Sequence, residues 1–156
     1  LQLVYSSCEE GFICCWELES GNLLRTMEDV FAMNTSVELA YTDTLLLGYC
    51  SDGGHLWLWN KFNNKLITKI TYALSDDENS RVYVDKKSFL VVVNNDLVAT
   101  SCGDSVQFWD INYRVMIRKV QLCGLIDRLI ALDSKSILCC SMNNLYRIDV
   151  PLMRFN

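Results

Sequence analysis

His55 is the only histidine in the chain, and every chemistry that leans on imidazole is limited to that one residue. No Ser, Cys or carboxylate stands around it in a recognisable nucleophile motif, so a nucleophilic triad is not expected. The carboxylates pair at Glu9-Glu10 and Asp76-Asp77, followed by Glu78. Both groups lie among turn-forming residues, whereas general acid–base work needs carboxylates held in a dry cleft. Eight cysteines are present, but no CxxC spacing occurs. A zinc site draws on closely spaced Cys and His ligands, so no metal is expected. Cys14-Cys15 and Cys139-Cys140 are adjacent pairs, and neighbours on a strand point to opposite faces. Free thiols serving as small buried hydrophobes in a reducing compartment are the expected reading. Gly53-Gly54 opens no helix and reads as a hairpin turn, so it is not a phosphate loop. Trp57 and Trp59 lie two apart on one strand and share a face, which fits sheet-to-sheet packing better than an aromatic ligand cage. The residues therefore point away from catalysis, with no cofactor expected.

The elements that would position these residues are short strands. Leu97–Ile111, LVATSCGDSVQFWDI, is an apolar run, a tight Gly103-Asp104-Ser105 turn and a second run closing on Trp109-Asp110. It reads as a β-hairpin. Weaker spellings occur at LVYSSC and FICCWEL, at LLLGYC and HLWLWNK, and at ILCCSM and LYRIDV. The closing aromatic positions are Trp16, Trp59 and Trp109, with Ile148 in the fourth place. Each of the first three hairpins leads through a turn rich in Gly and Asn to LLRTM, LITKI or VMIRKV. These strands mix apolar with basic residues, as half-exposed outer strands should. A fourth strand type, VELAY, SFLVVV or DRLIAL, precedes each later hairpin. SFLVVV is the most continuously apolar and is expected to be buried on both faces near a central axis. A period of roughly 40–45 residues with four strands per unit is the signature of a β-propeller.

The residues around the closing pairs resemble the WD40 repeat. Gly103-Asp104-Ser105-Val106 with Trp109-Asp110-Ile111 is the nearest match. Asp52-Gly53-Gly54 with Trp59-Asn60, and Glu10-Gly11-Phe12 with Trp16-Glu17, are similar; Asn144-Leu145 with Ile148-Asp149 keeps only the acid. The family's Gly-His dipeptide before the inner strand is missing. The resemblance therefore implies blades whose His–Asp–Ser–Trp hydrogen-bond chain is incomplete and which depend more on apolar packing. It implies an all-β fold of about four four-stranded antiparallel blades, near residues 1–27, 37–70, 88–120 and 127–156. Four blades leave apolar faces uncovered. The chain is thus expected to be part of a larger ring of about six to eight blades, the remainder supplied by further sequence. A closed four-bladed ring is the alternative.

Composition bounds the partners. The chain has 156 residues, is 51% hydrophobic and carries a formal net charge of −5. An acidic chain is poorly suited to a phosphate backbone, so nucleic acid is not expected. No apolar run approaches the roughly 18 residues that span a bilayer, so no membrane partner is expected. An intracellular, cytoplasmic location is expected. In this family the hairpin turns and the outer-to-inner connections share one face of the disc, commonly the binding face. Here that face would carry Glu9, Glu10, Asp29, Asp52, Asp76, Asp77, Glu78 and Asp104, with Arg81 a basic exception. Such a rim would attract a basic protein. Thr71–Tyr83 reads as a surface loop. The expected function is a non-catalytic scaffold for protein–protein interaction. It could be the regulatory propeller of an apoptosome-type ATPase or the substrate receptor of a ubiquitin-ligase adaptor. An enzyme on a propeller scaffold and a structural spacer are the competing classes.

Overall fold

The computed structural model describes residues 2–8, 10–27, 37–50, 54–71 and 88–151. They form fourteen strands in four antiparallel sheets. The first sheet is β1 (Leu3–Ser7), β2 (Ile13–Glu17) and β3 (Leu23–Met27). The second is β4 (Glu38–Tyr41), β5 (Leu45–Cys50), β6 (His55–Asn60) and β7 (Leu66–Thr71). The third is β8 (Leu90–Val92), β9 (Leu97–Cys102), β10 (Ser105–Asp110) and β11 (Val115–Gln121). The fourth is β12 (Ile126–Asp133), β13 (Ser136–Ser141) and β14 (Asn144–Asp149). Every strand pairs with its neighbour in sequence, so each sheet is a meander. The inner strands β4, β8 and β12 lie side by side, and the sheets stack as blades.

Period-two alternation assigns each strand's side chains to two interfaces. On β6, Trp57 and Trp59 face the first blade and join Ile13, Val37, Leu46 and Cys50. Leu56 and Leu58 point the other way and meet Val98, Trp109 and Ile111 of the third blade. Val106 and Phe108 of β10 then face the fourth blade, where they meet Leu129, Ile137, Cys139 and Ile148. Blades 2 and 3 are thus buried on both faces. Among the described residues the end blades are covered on one side only. Trp16 and Val4 point away from blade 2, Val4 being 41% exposed, while Ile130, Leu132 and Leu145 are 45, 51 and 66% exposed on the far side of blade 4. All eight thiols are free, and Cys15, Cys50 and Cys139 are buried. Burial pushes the Cys139 thiol up to about 11.

Side-chain oxygens close the turns in the same way from blade to blade. Thr42 Oγ1, Asn94 Oδ1 and Asp133 Oδ1 accept backbone N–H groups in the turn after each inner strand. Asn60 and Asp110, at the position after the closing Trp, do the same for the turn to the outer strand. These are Asx and Ser/Thr turns, in which a short polar side chain mimics a backbone acceptor. The N–H groups of Leu18, Lys61, Ile111 and Val150 donate to the carbonyls of Gln2, Thr44, Asp96 and Lys135, one bond per blade at 2.9–3.0 Å. The acid of the Trp-Asp pair is therefore a turn former in blade 3.

One sequence expectation needs revision. Only Leu90–Val92 of SFLVVV is strand, and those three residues are half-buried rather than enclosed. The inner strand sits between β4 and β12 and, among the described residues, pairs along one edge only, which leaves its axial edge without a strand partner there. Part of a side-chain hydrogen-bond chain is present in two blades. The Trp109 indole donates to Thr100 Oγ1 at 2.8 Å, and that hydroxyl donates to Gln107 Oε1 at 3.4 Å. Trp16 makes the matching bond to Ser6 Oγ at 2.9 Å. In blade 2 the corresponding strand position is Gly48, which has no side chain to accept.

Candidate interaction surface

A four-stranded meander sends its turns alternately to its two ends. The turn between the second and third strands therefore shares one end with the connection from the outer strand to the next blade. Glu10 and Asp104 both sit in turns at that end. Glu10 is exposed beside Gly11, whose φ of 91° lets the chain reverse. Asp104 follows Gly103, which has φ 61°, in the two-residue loop joining β9 to β10. Positive φ at the first loop position matches the twist of a hairpin and costs glycine little. Of the nine candidates read from the sequence, these two are among the described residues. Glu9, Asp29, Asp52, Asp76, Asp77, Glu78 and Arg81 lie outside them, as does most of the surface loop expected at Thr71–Tyr83.

The Asp104 turn is held within its own blade and to the next. The Asp104 carbonyl accepts the N–H of Leu122, just after β11, at 2.8 Å, and the Gly103 carbonyl accepts the N–H of Ile126, the first residue of β12, at 3.0 Å. Ser105 Oγ donates back to the Cys102 carbonyl at 2.9 Å. One blade over, Ser141 Oγ donates to the Gly124 carbonyl at 2.6 Å. The half-buried Asp104 is thus held on a frame shared by blades 3 and 4. A charge held on a fixed frame carries no ordering cost of its own when it meets a ligand.

Two other charged places stand out. Glu38 on β4 has its carboxyl raised above the usual range by burial, partly offset by the charge of Arg128 on β12. This carboxylate and guanidinium come from two inner strands, so they lie at the axial side of the blades. Among the described residues no group of three or more His, Cys, Asp and Glu could hold a metal ion. His55 opens β6, its ring edge-on to Trp57 at 5.3 Å, and Lys69 Nζ lies over the other ring at 5.0 Å. His55 Nδ1 is buried without a hydrogen-bond partner. Burial and then the Lys69 charge lower its pKa from 6.5. A His with a depressed folded pKa stabilises fully above its unfolded value and loses that contribution as pH falls towards the folded one. Thermal melts from pH 7.5 to 5 should show a loss of stability below about 6.5 that is absent in His55→Gln. A parallel decline in both proteins would contradict this.

The fold so built is a β-propeller of the WD40 type, here as four adjacent blades. The chain is similar to the crystal structure of the RRP9 WD40 repeats, with a TM-score of 0.71 at 14% identity, covering 89% of this chain and 41% of that one. It is also similar to the computationally designed Ika8 protein, a propeller, with a TM-score of 0.70 at 15% identity, covering 95% and 43%. The chain thus spans less than half the length of either structure. No protein-family model matches the sequence. No curated protein sequence matches it. Among the described residues no helix is long and apolar enough to cross a membrane.

Proposed function

We propose that this chain is a non-catalytic interaction scaffold, whose stacked blades present loops at one end to a partner protein. The observation that carries the reading is the Asp104 turn, tied by one main-chain bond to its own outer strand's end and by another to the blade beyond it. It makes that end a preformed platform. The partner is basic, because the candidate positions Glu9, Glu10, Asp29, Asp52, Asp76, Asp77, Glu78 and Asp104 are acidic and Arg81 is the exception. The scaffold needs no cofactor and engages neither nucleic acid nor membrane, and it works in the cytoplasm. Further blades cover the outer faces of the end sheets, where Val4, Ile130, Leu132 and Leu145 stand exposed. Burying such side chains stabilises by about 1.5–3 kcal/mol each.

The test uses the full-length protein and a labelled Lys/Arg-rich peptide. Binding should weaken steeply as salt is raised, since exposed charges are screened beyond about 8 Å at physiological ionic strength. Glu10→Lys with Asp104→Lys should weaken it about tenfold or more at unchanged thermal stability. Salt-insensitive binding, or equal binding by the variant, would overturn the reading.

A further inference from the structure

The chain carries 19 acidic and 14 basic residues, yet the three outer strands invert that balance. β3, β7 and β11 contain Arg25, Lys69, Arg118 and Lys119 and no carboxylate. Exposed Lys65 and Arg114 precede β7 and β11. Among these cations stand large apolar side chains in open solvent. On blade 2, Phe62, Leu66 and Ile67 are 71, 55 and 40% exposed; on blade 3, Tyr113, Val115 and Ile117 are 66, 47 and 38% exposed.

The backbone places these residues the same way in each blade. The register between the third and outer strands shifts just before the closing Trp, so one outer-strand residue has no partner opposite it. The unpaired residues are Leu24, Ile67 and Ile117. A bulge bends its strand and re-aims a side chain, here an apolar one at the circumference. Bulges and Lys residues also blunt sheet edges against aggregation. That role accounts for the cations and the bend. It does not account for an exposed Phe62 or Ile67, which makes an edge more adhesive.

We propose that the circumference formed by β7, β11 and the turns before them binds an acidic protein segment bearing apolar anchors. The cations would meet its carboxylates, and the apolar residues would take its anchors. Among the described residues β7 and β11 each pair along one edge only, so a row of backbone donors and acceptors faces outward. An extended polypeptide can answer that row, which favours a protein occupant over an anionic lipid surface. This surface is distinct from the acidic turns at the end of the blades and has the opposite sign.

The test uses the full-length protein and a fluorescein-labelled peptide of alternating Glu and Leu. A Glu/Ser peptide of equal charge and phosphatidylserine vesicles serve as comparators. The Glu/Leu peptide should bind in a salt-dependent manner, with the Glu/Ser peptide about tenfold weaker or more. Phe62→Ser with Ile67→Ser, and Lys65→Glu with Arg114→Glu, should each weaken binding about tenfold or more while melting stays unchanged. Glu10→Lys with Asp104→Lys should leave it as it is, so this surface and the end face fail separately. Equal binding of the two peptides would reduce the surface to bulk charge and overturn the proposal. Wild-type affinity in both circumference variants, or vesicle binding without peptide binding, would overturn it too.

Discussion

Trp109→Ala is expected to lower the free energy of unfolding by about 3–5 kcal/mol, read from urea denaturation. The side chain is 1% exposed and packs between blades 2 and 3 with Leu58, Val98 and Ile111. Its removal opens a cavity bounded by two rigid sheets, which can close only by shifting a whole blade. It also deprives Thr100 Oγ1 of the indole donor at 2.8 Å. Trp109→Phe separates the two losses. It keeps most of the ring and removes the N–H, so a cost nearer 1 kcal/mol is expected for the hydrogen bond itself, with a further loss for the smaller ring. Equal costs for Phe and Ala, or a loss below about 1 kcal/mol for Ala, would mean that the interface does not turn on this residue.

Phe108→Ala is expected to cost a similar amount, about 3–5 kcal/mol, but at the other interface. Phe108 is fully buried and packs towards Leu129, Ile137 and Ile148 of blade 4. Adjacent residues on one strand thus secure different neighbours. A propeller resembles a one-dimensional stack, in which each unit touches only the next. Hydrogen exchange should therefore quicken in β12–β14 for Phe108→Ala and in β4–β7 for Trp109→Ala. The two substitutions share few partners, so their costs should nearly add. A combined loss of about 6–10 kcal/mol approaches the whole stability of an ordinary domain, and the double variant should fail to fold. Uniform quickening in both single variants would argue for one continuous core in place of separable interfaces.

Much of this is legible in the sequence. The repeat of apolar run, turn and closing Trp placed β3, β5 and β9 to the residue, because local alternation and turn chemistry set strand limits. The spacing of Trp57 and Trp59 put both on one face, and both do pack against the first blade. The mixture of Leu, Ile, Arg and Lys in the outer strands was visible too. It read as ordinary half-exposure, because a linear string does not show which residues a bulge pushes outward.

The sequence by itself determined the class of fold, the strand order and the absence of a motif for nucleophilic catalysis or zinc. These follow from short-range patterns, and every strand pairs with its neighbour in the chain. Tertiary structure decided how the blades share their side chains. It turned Phe108 and Trp109 to opposite partners, tied the Asp104 turn to blade 4 and left SFLVVV half-covered. It also gathered basic and apolar residues from separate outer strands onto one circumference. The outer strands of blades 2 and 3, some fifty positions apart, come to share that circumference through the stacking of sheets, which alternation along a single strand cannot encode.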